Sequence, residues 1–183
     1  MALMNTIDHG IQIVKLLFQK LFLQGNLEIN APLVRYHISR TSRIKCGNNG
    51  KIVLGSVNLQ TNVHLVAWGG ILTVGEDCSF NRNAIVVARK QITIGNGTLI
   101  GPNVCIYDHD HAFGAKGMIR EQMKYGTVII GNNVWIGAGT IVLRGASIGD
   151  NCVIGAGCVV SGIIPENSIV TSGNRVLKIE PLH

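Results

Sequence analysis

The chain has 183 residues, of which 46% are apolar, 14% charged and 5% aromatic, with 23 Gly but only 4 Pro. Low charge with high apolar content excludes a disordered chain, and glycine without a Gly-X-Y period excludes collagen. No apolar run is long enough to span a bilayer, so the expectation is one compact domain. The net charge of +6 suits an anionic partner, such as a phosphorylated cofactor. Arg35, Arg40, Arg43, Lys45 and Lys51 form a loose basic cluster with few aromatics between them. That pattern reads as a solvated face and argues against nucleic acid as a partner.

In chain order, residues 5–24 come first. Ile7, Ile11, Val14, Phe18 and Phe22 share one helical face, with Asp8, Gln12, Lys15 and Gln19 on another. This predicts an amphipathic α-helix covering an end of the domain; attachment to a membrane surface is the alternative. A run at six-residue spacing follows further on: Ile94, Ile100 and Ile106, then Ile130, Ile136, Val142, Ile148, Ile154 and Val160. Glycine follows many of them, at Gly95, Gly101, Gly131, Gly137, Gly149 and Gly155. Val74, Phe80 and Val86 form an earlier run, out of frame by two residues.

An aliphatic residue every six positions, followed by glycine, is the mark of a hexapeptide β-helix. The expected fold is therefore an all-β solenoid over about residues 45–170. Residues eighteen apart should stack, Ile130 on Ile148, Ile136 on Ile154 and Val142 on Val160. Cys152 and Cys158 lie six apart and should be inward packing residues rather than a disulfide. The five cysteines are odd in number and contain no CxxC pair, which fits a reducing, cytoplasmic setting. Residues 107–127 interrupt the repeat with Tyr107-Asp108-His109-Asp110-His111 and should form a loop protruding from the solenoid. Residues 171–183 are left as a C-terminal tail.

The segments Ile94-Gly95-Asn96, Ile100-Gly101-Pro102-Asn103-Val104, Asp108-His109-Asp110-His111 and Ile130-Gly131-Asn132-Asn133-Val134-Trp135-Ile136-Gly137 resemble a known family. It is the hexapeptide-repeat acyltransferases of the left-handed parallel β-helix fold, in particular galactoside and maltose O-acetyltransferases and polysaccharide-modifying relatives. The resemblance covers roughly residues 70–170. It implies His111 as the catalytic base, Asn81 as an active-site amide and Trp135 as a shelf for cofactor or substrate. Acetyl-CoA is then expected in a groove between subunits of a homotrimer, near Ala138, Ala156 and Ser161, with Arg175 and Lys178 toward its phosphates. Asp108 or Asp110 would orient the His111 ring, and His109 would shape the loop. Asn83 is close enough to Asn81 to be confused with it. Arg89 stands where the galactoside enzyme carries an acidic residue, which points away from a galactoside acceptor and toward an acidic saccharide.

The chemistry agrees with these residue types. A sugar hydroxyl needs a base to remove its proton as it attacks a thioester, and an imidazole serves. An amide donor can stabilise the oxyanion that develops. Direct transfer requires neither a metal nor a covalent intermediate. The expected activity is O-acetylation of a sugar or polysaccharide unit. N-acetylation of an amino or nucleotide sugar and a non-catalytic scaffold are the alternatives. A carbonic anhydrase on the same solenoid would need three zinc-bound imidazoles, and the required His spacing is absent.

Overall fold

The computed structural model describes residues 2–22, 26–173 and 176–181. Short parallel strands wind into a triangular left-handed β-helix whose three faces are sheets of seven, eight and six strands. The first face holds Leu27–Ile29, Lys51–Leu54, Ile71–Val74, Gln91–Ile94, Val128–Ile130, Ser147–Ile148 and Ile163–Ile164. The second runs from His37–Ile38 through Val57–Leu59, Cys78–Phe80, Leu99–Ile100, Trp135–Ile136 and Val153–Ile154 to Ser168–Gly173 and Val176–Pro181. Arg43–Gly47, His64–Trp68, Ile85–Ala88, Cys105–Tyr107, Ile141–Val142 and Val159–Val160 make the third.

Each strand turns alternate side chains inward, and equivalent positions stack coil upon coil. Leu54, Val74, Ile94, Ile130, Ile148 and Ile164 form one such buried column in continuous register. The three expected pairs, Ile130 with Ile148, Ile136 with Ile154 and Val142 with Val160, are all direct neighbours. Cys152 and Cys158 are fully buried and unbridged. Val74 pairs with Ile94, twenty positions on, and the two additional residues explain the earlier run's phase shift. They sit at the corner between the third and first faces, where Arg89 and Lys90 intervene between strands.

Glycine is required where coils nearly touch. A Cβ on Gly95 would stand 2.6 Å from the carbonyl carbon and oxygen of Gly131 in the next coil. Asparagines holding left-handed backbone finish other corners. Asn62, Asn83 and Asn103 are linked through their amides at 3.0 Å, and Asn133, Asn151 and Asn167 at 3.0 and 3.1 Å.

The solenoid begins at Leu27, well before the expected start near residue 45. Its first coil takes twenty-five residues from Leu27 to Ile52 and the next ones twenty or twenty-one, so the six-residue signal is blurred there. The tail is also more ordered than expected. Val176–Pro181 folds back antiparallel on Ser168–Gly173 and closes the second face.

The helix, Ala2–Phe22, covers the opposite end but in an unexpected orientation. Leu16 is buried in the core, and polar groups beside it face the solenoid too: Gln12 Oε1 accepts from the Ile38 amide at 3.1 Å, and Lys15 Nζ donates to the carbonyls of Arg40 and Ser42 at 2.7 and 2.8 Å. Ile11, Val14, Phe18 and Phe22 are exposed. The first coil has no coil beneath it to satisfy its backbone, so Gln12 and Lys15 supply those hydrogen bonds while Leu16 covers the apolar end of the core. Burial next to Arg43 lowers the Lys15 pKa from its ordinary value. Among the described residues, no helix is long and apolar enough to cross a membrane.

Candidate active site

The interrupting segment is a β-hairpin, His109–Gly114 paired antiparallel with Gly117–Tyr125. It leaves the corner between the third and first faces, and its neck is closed by Gly126 N–H donating to Asp108 C=O at 2.8 Å. Asp108 is fully buried beneath it. Its carboxylate accepts from the Arg89 amide at 2.8 and 3.0 Å, from the Lys90 amide at 2.7 Å, and meets His109 Nδ1 at 3.0 Å. Four contacts on one carboxylate compensate its removal from water and fix the base of the hairpin.

His111 lies two residues further on, exposed, opposite Met123 and at a register shift. It lines a cleft of about 700 Å³ with Arg89, His109, Asp110, Arg120 and Tyr125. Among the described residues, no side chain hydrogen-bonds its ring. The carboxylates expected to orient it are engaged elsewhere: Asp108 with His109, and Asp110 with Arg144. The sequence's single-residue spacing of the two histidines explains the difference. In a β-strand, successive side chains alternate faces while His109 and His111 share one, so the buried carboxylate reaches only the nearer ring.

Asn81 sits at a different corner, between the second and third faces. Its side-chain oxygen accepts from the Arg82 amide at 2.8 Å. Asn83, two residues away, belongs to the structural asparagine ladder, with left-handed backbone at φ 59°. The same corner carries Ala138 and Ala156 in successive coils, joined by Gly157 N–H donating to Ala138 C=O at 2.9 Å. Both alanines are exposed, and a Cβ on the neighbouring Gly139 or Gly157 would meet nothing within 4 Å. The result is a smooth, open ledge of backbone and methyl groups. Trp135 projects beside it from the second face, 55% exposed.

Ser161 lies at the His111 corner instead, one coil above Arg144. Within one chain the expected residues therefore divide into two groups. His109, His111, Asp108, Asp110, Arg89 and Ser161 share one corner, while Asn81, Trp135, Ala138 and Ala156 share or flank the other. A face of four or five residues separates the corners by about 15 Å. Arg175 and the side chain of Lys178 lie outside the described residues. Sequence reasoning missed Arg144, Arg120 and Tyr125. Arg120 and Tyr125 fell inside the interrupting segment, but Arg144 carried no signal because only the folded corner brings it to Asp110.

Known proteins place this architecture. Residues 127–162 match the model of the bacterial transferase hexapeptide (six repeats). The galactoside O-acetyltransferase of Escherichia coli K12 is 36% identical over 107 residues, 58% of this chain and 52% of that one. The chain thus spans about half the length of that relative. The putative lipopolysaccharide biosynthesis O-acetyl transferase WbbJ, also from Escherichia coli K12, is 32% identical over 151 residues, 75% of this chain and 76% of its own. A solved galactoside acetyltransferase in complex with coenzyme A superposes with a TM-score of 0.57 at 25% identity, covering 84% of this chain and 62% of that one. With the stacked coils, the glycine-tight register and the inserted histidine hairpin, these likenesses identify the chain as a member of the hexapeptide-repeat acyltransferase family.

Proposed function

We propose that the protein transfers an acetyl group from acetyl-CoA to a hydroxyl of a sugar or polysaccharide unit, with His111 as general base. The observation that carries this reading is the placement of His111. It is an exposed imidazole in a cleft of about 700 Å³, on a hairpin whose base is fixed by a buried carboxylate. The names of the relatives and the coenzyme A bound in one of them support the donor.

The smooth ledge at Ala138 and Ala156 fits the donor's pantetheine arm, with Trp135 as its side wall. The donor supplies an acyl carbon on a good leaving group. His111 accepts the proton of the acceptor hydroxyl as the oxygen attacks, and that proton is available for the departing thiolate. The Asn81 amide faces the negative charge that builds on the carbonyl oxygen. Because His111 and Asn81 occupy different corners of one chain, the site is completed when two copies meet, hairpin corner against ledge corner. A cyclic trimer closes that contact three times.

Replacing His111 with Ala should lower kcat by about 10²–10⁴-fold with little change in KM for acetyl-CoA. The assay is thiol release from acetyl-CoA over a panel of saccharides. Equal turnover by His111→Ala and wild type refutes the assignment of the base.

A further inference from the structure

The outer side of the second face changes character along its length. Outward positions in strict register run His37, Asn58, Ser79, Leu99 and Trp135, one per coil. The upper two are apolar and flank the donor ledge. The lower three are polar and lie in a continuous depression. One cleft of about 400 Å³ is lined by Val34, Arg35, His37, Asn58, Asp77 and Ser79, among others. A second, of about 330 Å³, shares His37 and Asn58 with it and extends toward the helix. The upper end stops at Ser79, two residues along the same strand and turn from Asn81.

The chemistry of this depression is specific. Among the described residues, none hydrogen-bonds the Asn58 amide or the Ser79 hydroxyl, so both remain able to bind a ligand. Arg35 is held by Glu76 and Asp77 at 2.7 and 2.6 Å, so its guanidinium is committed within the wall, which keeps no surplus positive charge there to attract an anion. Val34 is 67% exposed at the rim, an apolar surface next to a row of hydrogen-bonding groups. Alternating hydroxyls and apolar C–H faces are what a saccharide offers. Parallel strands repeat every 4.7–4.9 Å, close to the advance of one pyranose unit.

We infer that this groove is an extended acceptor subsite, binding a saccharide of two or more units that runs from Asn81 down the coils toward the helix. The inference rests on the acetyl-transfer reading, and it adds that the acceptor is a chain rather than a single sugar. Donor and acceptor then occupy opposite ends of one face, with the reacting atoms between them.

The test is a ladder of β-linked hexose oligomers of one to four units, used as acceptors for wild type and for Asn58→Trp, which fills the groove. Circular dichroism and the thermal midpoint verify the variant's fold. The expected result is a rise in kcat/KM of about tenfold from one unit to three, as one or two net hydrogen bonds would give. Asn58→Trp should abolish that rise. Binding of the tetrasaccharide is followed in parallel by NMR titration without acetyl-CoA. Tetrasaccharide binding that Asn58→Trp removes, with no acetyl transfer by wild type, supports the groove and refutes the transferase reading alone. Rates independent of length, absence of tetrasaccharide binding, or a rise that survives Asn58→Trp overturns the groove.

Discussion

A site divided between two copies makes a quantitative prediction about mixtures. His111→Ala and Asn81→Ala would each be inactive alone, since removing a general base costs about 10²–10⁴-fold and removing an oxyanion donor about 10²–10³-fold. The two corners of one chain are about 15 Å apart, too far for both side chains to serve one reacting carbonyl. In the trimer proposed above, a mixed assembly would draw each site's histidine from one copy and its asparagine from the next. With equal amounts and random assembly, the intact histidine and the intact asparagine each arrive with a chance of one half. Activity should therefore recover to about one quarter of wild type. The assay is thiol release after the two variants are unfolded together in urea and refolded, with mixed trimers verified by native mass spectrometry. A mixture no more active than its parents, despite verified mixing, refutes the shared site, because a site within one chain would be broken in every copy.

Further expectations concern the scaffold. Gly95→Ala should cost about 3 kcal/mol, the upper part of the overpacking range, because its methyl would meet backbone rather than a yielding side chain. In a chain of this size that lowers the thermal midpoint by about 6–12 °C by calorimetry, and an unchanged midpoint contradicts the coil spacing. Burial raises the thiol pKa of Cys78 and Cys152. In native protein at pH 8, a disulfide reagent should therefore label half-buried Cys105 well before them, as mass mapping would show. The hydrogen bond from Arg35 holds the Asp77 carboxyl below its ordinary value. Folding thus favours its ionised form, and this stabilisation is complete above about pH 4 and lost as the pH falls through the lowered value. Asp77→Asn should flatten the acid limb of urea-unfolding stability while leaving its slope near pH 7 as in wild type.

How much was legible depended on how local the signal was. The upper coils were readable because a buried isoleucine or valine recurs at a fixed step from Ile130 to Val160, and glycine follows it at Ile130, Ile136, Ile148 and Ile154. The lower coils hid their start at Leu27 because corners of varying length shift the phase, leaving only Val74, Phe80 and Val86 visible. The helix was recognised by its two faces, but its orientation followed from unsatisfied backbone at Ile38, Arg40 and Ser42, which no periodicity reveals. His111 was marked by its place in the interrupting segment. The partners of its neighbours were not, because Asp108 reaches Arg89 and Lys90 only after the corner has folded.

The hairpin departs and returns at a single corner, between Asp108 and Gly126, while Ile94 still pairs with Ile130 and Ile106 with Val142. The stack above and below is therefore continuous without it. Excising residues 109–125 and closing the gap with a short turn should leave a stable spool that has lost its imidazole, and grafting in a hairpin of different sequence should change reactivity without disturbing the stack. The hairpin's imidazole and the stability of the stack are thus carried by separate segments, so the one can be altered while the other is preserved.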